Sequence, residues 1–161
     1  MRPLRGNLPG KSYPKGGKSM KHWVIVLCGV QPIDIWAKGL ALLLEKCGYA
    51  ATLQREGPSH IGGGCRWILR AGEKPCFAPI RLGEADCLIA LEQLEGVRNL
   101  PFLKEGGTFF LGENRENPAA VSAGRVNYPV LEELPVKAQP LPASPQETWE
   151  QMLSACERMG D

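Results

Sequence analysis

The run W-V-I-V-L-C from Trp23 to Cys28, closed by Gly29, constrains this chain more than any other feature. It is six residues long, apolar throughout and partly β-branched. That is the form of a strand buried on both faces, which belongs at the centre of a parallel sheet covered by helices on either side. No apolar run approaches the ~18 residues that a membrane span needs. At 161 residues the chain is long enough for one domain with a substantial core.

The residues after this strand fit a β-α-β unit. Pro32 stops the extended run and Asp34 stands where it can cap a helix. Trp36, Leu40, Leu43, Leu44 and Cys47 then recur at helical spacing, with Lys38, Glu45 and Lys46 on the other side and Gly48 as the C-terminal cap. The segment A-A-T-L-Q-R, Ala50 to Arg55, supplies a second strand. From Glu56 the pattern dissolves into E-G-P-S-H-I-G-G-G, with four glycines between Gly57 and Gly64. Glycine at that density favours open backbone angles or the close approach of a ligand, so this loop is the first candidate for a site.

Beyond it, C-R-W-I-L-R and C-F-A-P-I flank A-G-E-K-P, which predicts a β-hairpin at a sheet edge. E-A-D-C-L-I-A-L (Glu84–Leu91) predicts a buried strand and L-E-G-V-R-N-L a short helix broken at Pro101. Gly106-Gly107 predict a turn before a last buried strand, T-F-F-L. The predicted fold class is therefore α/β: a three-layer (α/β/α), Rossmann-like domain with a mixed, mostly parallel sheet and a β-hairpin. Residues 115–143, with five prolines and little periodicity, predict an extended arm. Residues 144–161 predict a C-terminal helix, begun by Ser144 or Pro145 with Glu147 as the acid of a capping box and lined by Trp149, Met152, Leu153 and Cys156. It would pack on the domain or on a partner.

Residues 1–19 combine three prolines, four glycines and five cations with few apolar groups, the composition of a disordered basic tail. Met20 reads as a natural start, with residues 20–114 as the α/β domain. Setting aside those five of the 19 Lys and Arg leaves 14 against 17 Asp and Glu, so residues 20–161 carry a formal charge of −3. A mildly acidic body gives no support to nucleic-acid binding. With no secretory pattern at the N-terminus, the expected location is cytoplasmic.

Candidate chemistry is sparse. The six cysteines include no C-x-x-C pair and have only His22 and His60 as possible co-ligands, so no metal site is expected and the cysteines read as buried small hydrophobes in a reducing compartment. G-N-L-P-G-K-S, Gly6 to Ser12, is one residue short of a phosphate-binding loop. His60 is the one histidine in a glycine-rich loop and would be the base of a small enzyme, if there is one. Glu92 and Glu95 read as a solvated helix face, and Glu84 and Asp86 as loop anions. After the first strand, G-V-Q-P-I-D offers a single glycine where a dinucleotide loop has three, and Asp34 opposes a phosphate.

The order of these segments resembles a family. V-I-V-L-C-G-V, the helix end E-K-C-G-Y, the H-I-G-G-G loop, E-A-D-C-L-I-A-L-E and above all L-E-G-V-R-N-L-P-F-L-K-E-G-G-T look like the gamma-type domain of 2-oxoacid:ferredoxin oxidoreductases. Within the family the resemblance is strongest to the beta-subunit type of the indolepyruvate enzymes and covers roughly Lys21 to Asn114. It implies an accessory, non-catalytic subunit of a complex that forms an acyl-coenzyme A. Thiamine diphosphate, iron–sulfur clusters and coenzyme A would belong to that complex, none being bound by this chain alone. The implied partner is a large thiamine- and iron–sulfur-containing subunit, with ferredoxin reached through the complex. Of the family's G-x-G-G-Q-G only Gly29 is matched, and Ile61 replaces an Arg before Gly62-Gly63, whereas Arg70 fits the pattern. Gly29, Gly62, Gly63 and Arg70 are thus the implied contacts to coenzyme A or to a partner. The alternative is a stand-alone α/β protein that binds a small ligand or nucleotide in a cleft lined by Gly29, His60, Gly62 and Gly63.

Overall fold

The structure, a computed structural model, describes residues 21–29, 33–56, 65–114 and 136–159. The basic tail, the turn at residues 30–32, the glycine-rich loop and most of the proline-rich arm lie outside them.

Six strands form one sheet: β1 (Trp23–Gly29), β2 (Ala50–Glu56), β3 (Cys65–Gly72), β4 (Ala85–Glu92), β5 (Leu103–Asn114) and β6 (Ala138–Pro140), in the order β2-β3-β1-β4-β5-β6. β1, the apolar run of the sequence, is buried along its whole length, between β3 and β4. β4 lies parallel to β1, as β5 does to β4 and β6 to β5, while β3 runs antiparallel to both β1 and β2. The sheet is mixed and mostly parallel, in agreement with the predicted class.

Helices cover both faces. α1 (Ile33–Lys46) places Ile33, Ala37, Leu40 and Leu44 on one face, where α3 (Pro145–Met159) adds Trp149 and Met152. Trp149 meets Trp23 edge-on at 5.1 Å and Tyr49 at 6.0 Å. α1 ends as predicted, because Gly48 at φ 96° lets its own N–H reach Glu45 O at 3.0 Å and that of Tyr49 reach Leu44 O at 3.1 Å. α3 starts with the Ser144 hydroxyl accepting from the Glu147 N–H, and Glu147 accepts in return from the Ala143 N–H. α2 (Gln93–Asn99) and a 3₁₀ turn (Leu100–Phe102) lie on the opposite face, over the core of Val24, Val26, Cys28, Ile68, Leu88, Ala90 and Phe109. Gly96 permits that approach: a Cβ there would fall 2.9 Å from Ala90 Cβ and 3.0 Å from Leu111 Cδ1.

Three local expectations fail. The antiparallel hairpin is β2–β3, interior at β3, and Cys76–Ile80 forms no strand. Pro75 and Pro79 cannot both serve a ladder, and the segment is instead held by side chains of the sheet, Thr52 of β2 and Arg70 of β3. β3 therefore separates β1 from β2, which a β-α-β reading makes neighbours. Gly106-Gly107 do not end a strand; β5 passes through them with a register shift, Ala85 facing Leu103 and Cys87 facing Thr108, and Gly106 takes φ 77°.

Candidate functional site at the strand ends

β1 and β4 are adjacent and parallel, yet β1 leads into α1 on one face and β4 into α2 on the other. Such a divergence makes the carboxyl ends of the two strands a topological switch point, where open α/β sheets usually bind ligands in a crevice. Its floor is Gly29, Leu91 and Glu92: a Cβ on Gly29, which has φ 141°, would lie 3.2 Å from Leu91 Cβ and 3.4 Å from the Glu92 nitrogen. β3 starts here too, Cys65 pairing with Gly29 and Arg66 with Cys28.

Most polar groups around this crevice are bonded to one another; the exception among the described residues is the buried Nε of Arg66, which has no hydrogen-bond partner. Glu92 is 2% exposed and caps α2, accepting from the Glu95 N–H at 2.7 Å. It is not part of a solvated face, because the β4–α2 junction turns it inward. Asn99, also buried, donates to Glu95 O at 2.7 Å and accepts from Arg66 Nη1 at 2.9 Å. Arg66 Nη2 donates to Glu56 at 3.2 Å, and its guanidinium lies 4.5 Å from the centre of the Phe102 ring. Glu95 pairs with Arg98 at 3.0 Å, and Asp34, which lies in the first turn of α1 and not at its cap because the helix begins at Ile33, accepts from Trp67 Nε1 at 2.8 Å. Arg66 and Asn99 carry no signal in the sequence. Only the topology, which lays Arg66 across Cys28 toward α2, brings them together.

Cys28 lies beneath this network. Burial pushes its thiol well up, the charges of Glu95 and Glu92 add to that, and Arg66 and a hydrogen bond from Asn99 oppose it. Burial raises Cys87 likewise. Neither thiol is a nucleophile at neutral pH. Cys76, by contrast, is exposed, so the expectation of buried cysteines fails for it. Among the described residues no three His, Cys, Asp or Glu are grouped so as to hold a metal ion. No helix there is long and apolar enough to cross a membrane.

The implied contact residues do not all converge. Gly29 sits on the crevice floor, while His60, Gly62 and Gly63 fall outside the described residues. Arg70 pairs with Val24, at the opposite end of β1 from Gly29. It is 7% exposed, and its donors are engaged: Nε to Ala78 O at 3.0 Å, Nη2 to Pro79 O at 3.0 Å, and Nη1 and Nη2 to Glu84 at 2.8 and 3.0 Å. Glu84 and Asp86 are not free loop anions. Asp86 accepts from the Val24 N–H at 2.8 Å and pairs with Lys104, joining the amino ends of β1, β4 and β5.

Residues 25–148 match the family model of the pyruvate ferredoxin/flavodoxin oxidoreductases. Two curated relatives, the indolepyruvate oxidoreductase subunits IorB of Pyrococcus horikoshii and Thermococcus kodakarensis, are 33% and 32% identical over 118 residues. Each alignment covers 71% of this chain and 58% of the relative, so the chain spans little more than half of their length. Among solved structures, pyruvate oxidoreductase subunit PORC from Thermotoga maritima aligns with TM-score 0.46 and 15% identity, over 69% of this chain and 58% of that one. A 2-oxoglutarate:ferredoxin oxidoreductase from Magnetococcus marinus aligns with the same TM-score and 16% identity, over 63% and 18%.

Proposed function

The chain belongs to the pyruvate ferredoxin/flavodoxin oxidoreductase family, and we propose that it serves in a 2-oxoacid:ferredoxin oxidoreductase as an accessory subunit with no catalytic group of its own. The observation that carries this reading is the crevice at the carboxyl ends of β1 and β4. Its carboxylates cap or pair, its arginine is fixed to Asn99 and Glu56, and its thiol is buried. A general acid, base or nucleophile must reach a substrate with a free polar atom, and among the described residues the carboxylates and the thiol here face other protein groups instead.

The substrate class we assign is an indolepyruvate-like 2-oxo acid, on the strength of the relatives' names. Oxidative decarboxylation on thiamine diphosphate and electron transfer through iron–sulfur clusters fall to a large partner subunit, which passes electrons to ferredoxin. Coenzyme A contact by this chain is assigned to Gly29 with Gly62 and Gly63. Arg70 does not fit that role, since it stands at the other end of β1 with its donors taken. The location consistent with this role is cytoplasmic.

Co-expression with a large chain bearing G-D-G and clustered cysteines tests the reading. The two should co-purify, and indolepyruvate-dependent reduction of a viologen dye should need both. Full activity of the large chain alone, or a failure of the two to associate, would overturn it.

A further inference from the structure

The segment Glu73–Glu84 has no strand or helix, yet it is fastened at five places. The four Arg70 bonds hold Ala78, Pro79 and Glu84, and the Thr52 hydroxyl donates to Cys76 O. Glu84 accepts from the Arg81 N–H at 3.0 Å, and the Gly83 N–H donates to Pro101 O at 2.9 Å. Pro75 and Pro79 stiffen it further. A loop tied this closely to a buried arginine would ordinarily turn its apolar groups inward. Here Phe77 is 64% and Leu82 74% exposed.

We propose that this loop is a protein-docking element, which seats Phe77 and Leu82 in an apolar recess with an acidic rim on the large partner subunit. An aromatic anchor held in place before binding loses little entropy on association, which is what a docking hot spot requires. The charge around the two side chains sets the chemistry of the rim. Arg70 neutralises Glu84, leaving Lys74 and Arg81 against Glu73, so the loop presents a net positive charge. A second copy of this chain is the poorer match: although its body carries a net negative charge, of its other exposed apolar groups among the described residues Ile35 and Leu42 stand at helical spacing from Lys38 and Lys46 of α1, and Leu153 is only 36% exposed.

The proposal rests on the subunit reading above, and the experiment separates the two. The full chain is titrated into the purified large subunit, alongside Phe77→Ser/Leu82→Ser, Lys74→Glu/Arg81→Glu and, as a control on α1, Ile35→Ser/Leu42→Ser. We expect the first variant to bind about 30-fold more weakly at an unchanged melting temperature, and the charge-reversed one to lose affinity chiefly at low salt. The α1 variant should bind as the parent does. Parent binding that survives the loop substitutions, or is lost only in the α1 variant, overturns the docking assignment and leaves the subunit reading intact. No binding by the parent chain removes both.

Discussion

Arg70 of β3 and Glu84, the residue before β4, form a two-point ion pair, Nη1–Oε2 at 2.8 Å and Nη2–Oε1 at 3.0 Å, with the arginine buried and the glutamate side chain 27% exposed. It joins the two ends of the coil that connects β3 to β4. Replacing Arg70 by Met removes the pair and also strips the carbonyls of Ala78 and Pro79 of their donor. Urea unfolding should show a loss of about 2–4 kcal/mol.

The same pair sets a pH dependence. Chiefly through its hydrogen bonds with Arg70, and then the Arg81 N–H, Glu84 is held below its ordinary 4.5 in the folded protein. A carboxyl lowered in the folded state adds stability above its unfolded value, and that increment is lost as the pH falls through the lowered one. Denaturation of the parent chain from pH 7 to pH 3 should therefore show a larger fall than that of Glu84→Gln, the difference appearing below about pH 4.5.

At Gly96 two effects compete. Alanine favours a helix over glycine by roughly 1 kcal/mol, but the new methyl would meet Ala90, Leu111 and Phe109, and such overpacking costs about 1–3 kcal/mol. Since β4 and β5 hold all three neighbours in the sheet, the clash should win, and Gly96→Ala should melt below the parent in calorimetry.

Thiol reactivity should divide by position. Alkylation of the native protein at pH 8, mapped by mass spectrometry, should modify Cys76 and spare Cys28 and Cys87, whose burial holds them as thiols. Modification of Cys28 at the rate of Cys76 would mean that the network of Arg66, Asn99 and Glu92 opens in solution.

Coenzyme A should bind the isolated chain weakly. Asp34, Glu56, Glu92 and Glu95 surround the strand ends against Arg66 and Arg98, and this surplus of carboxylates opposes a phosphate. Calorimetry should give a Kd above about 1 mM, equivalent to less than ~4 kcal/mol of binding. Assembly with a partner that contributes cations would be needed to tighten it.

The legibility of the fold in its residues divides on physical lines. β1, β4, α1 and α3 announce themselves because burial of a strand or one helix face is written in local spacing, and Gly48 and Ser144 mark helix ends by cap chemistry that needs no distant partner. The interior place of β3 is not local information. Its alternation of Arg66, Ile68 and Arg70 with Trp67 and Leu69 suits an edge, and only pairing on both sides shows that the arginines are spent on Asn99, Glu56 and the 73–84 coil. Arg70 stands out by resemblance and Arg66 by nothing, although both are fixed inside the molecule. Cys76–Ile80 has the apolar content of a strand, but Pro75 and Pro79 deny that segment the donors of a ladder.

The insertion of β1 between β3 and β4 has a consequence for the nascent chain. β1 leaves the ribosome well before its neighbours, residues 65–72 and 85–92, which lie some 40 and 60 positions later. Until residues 65–72 have been synthesised, a fully apolar strand has neither edge covered, and contacts this distant in sequence form slowly. The strand that defines the finished core therefore cannot take its place until two later segments have been made.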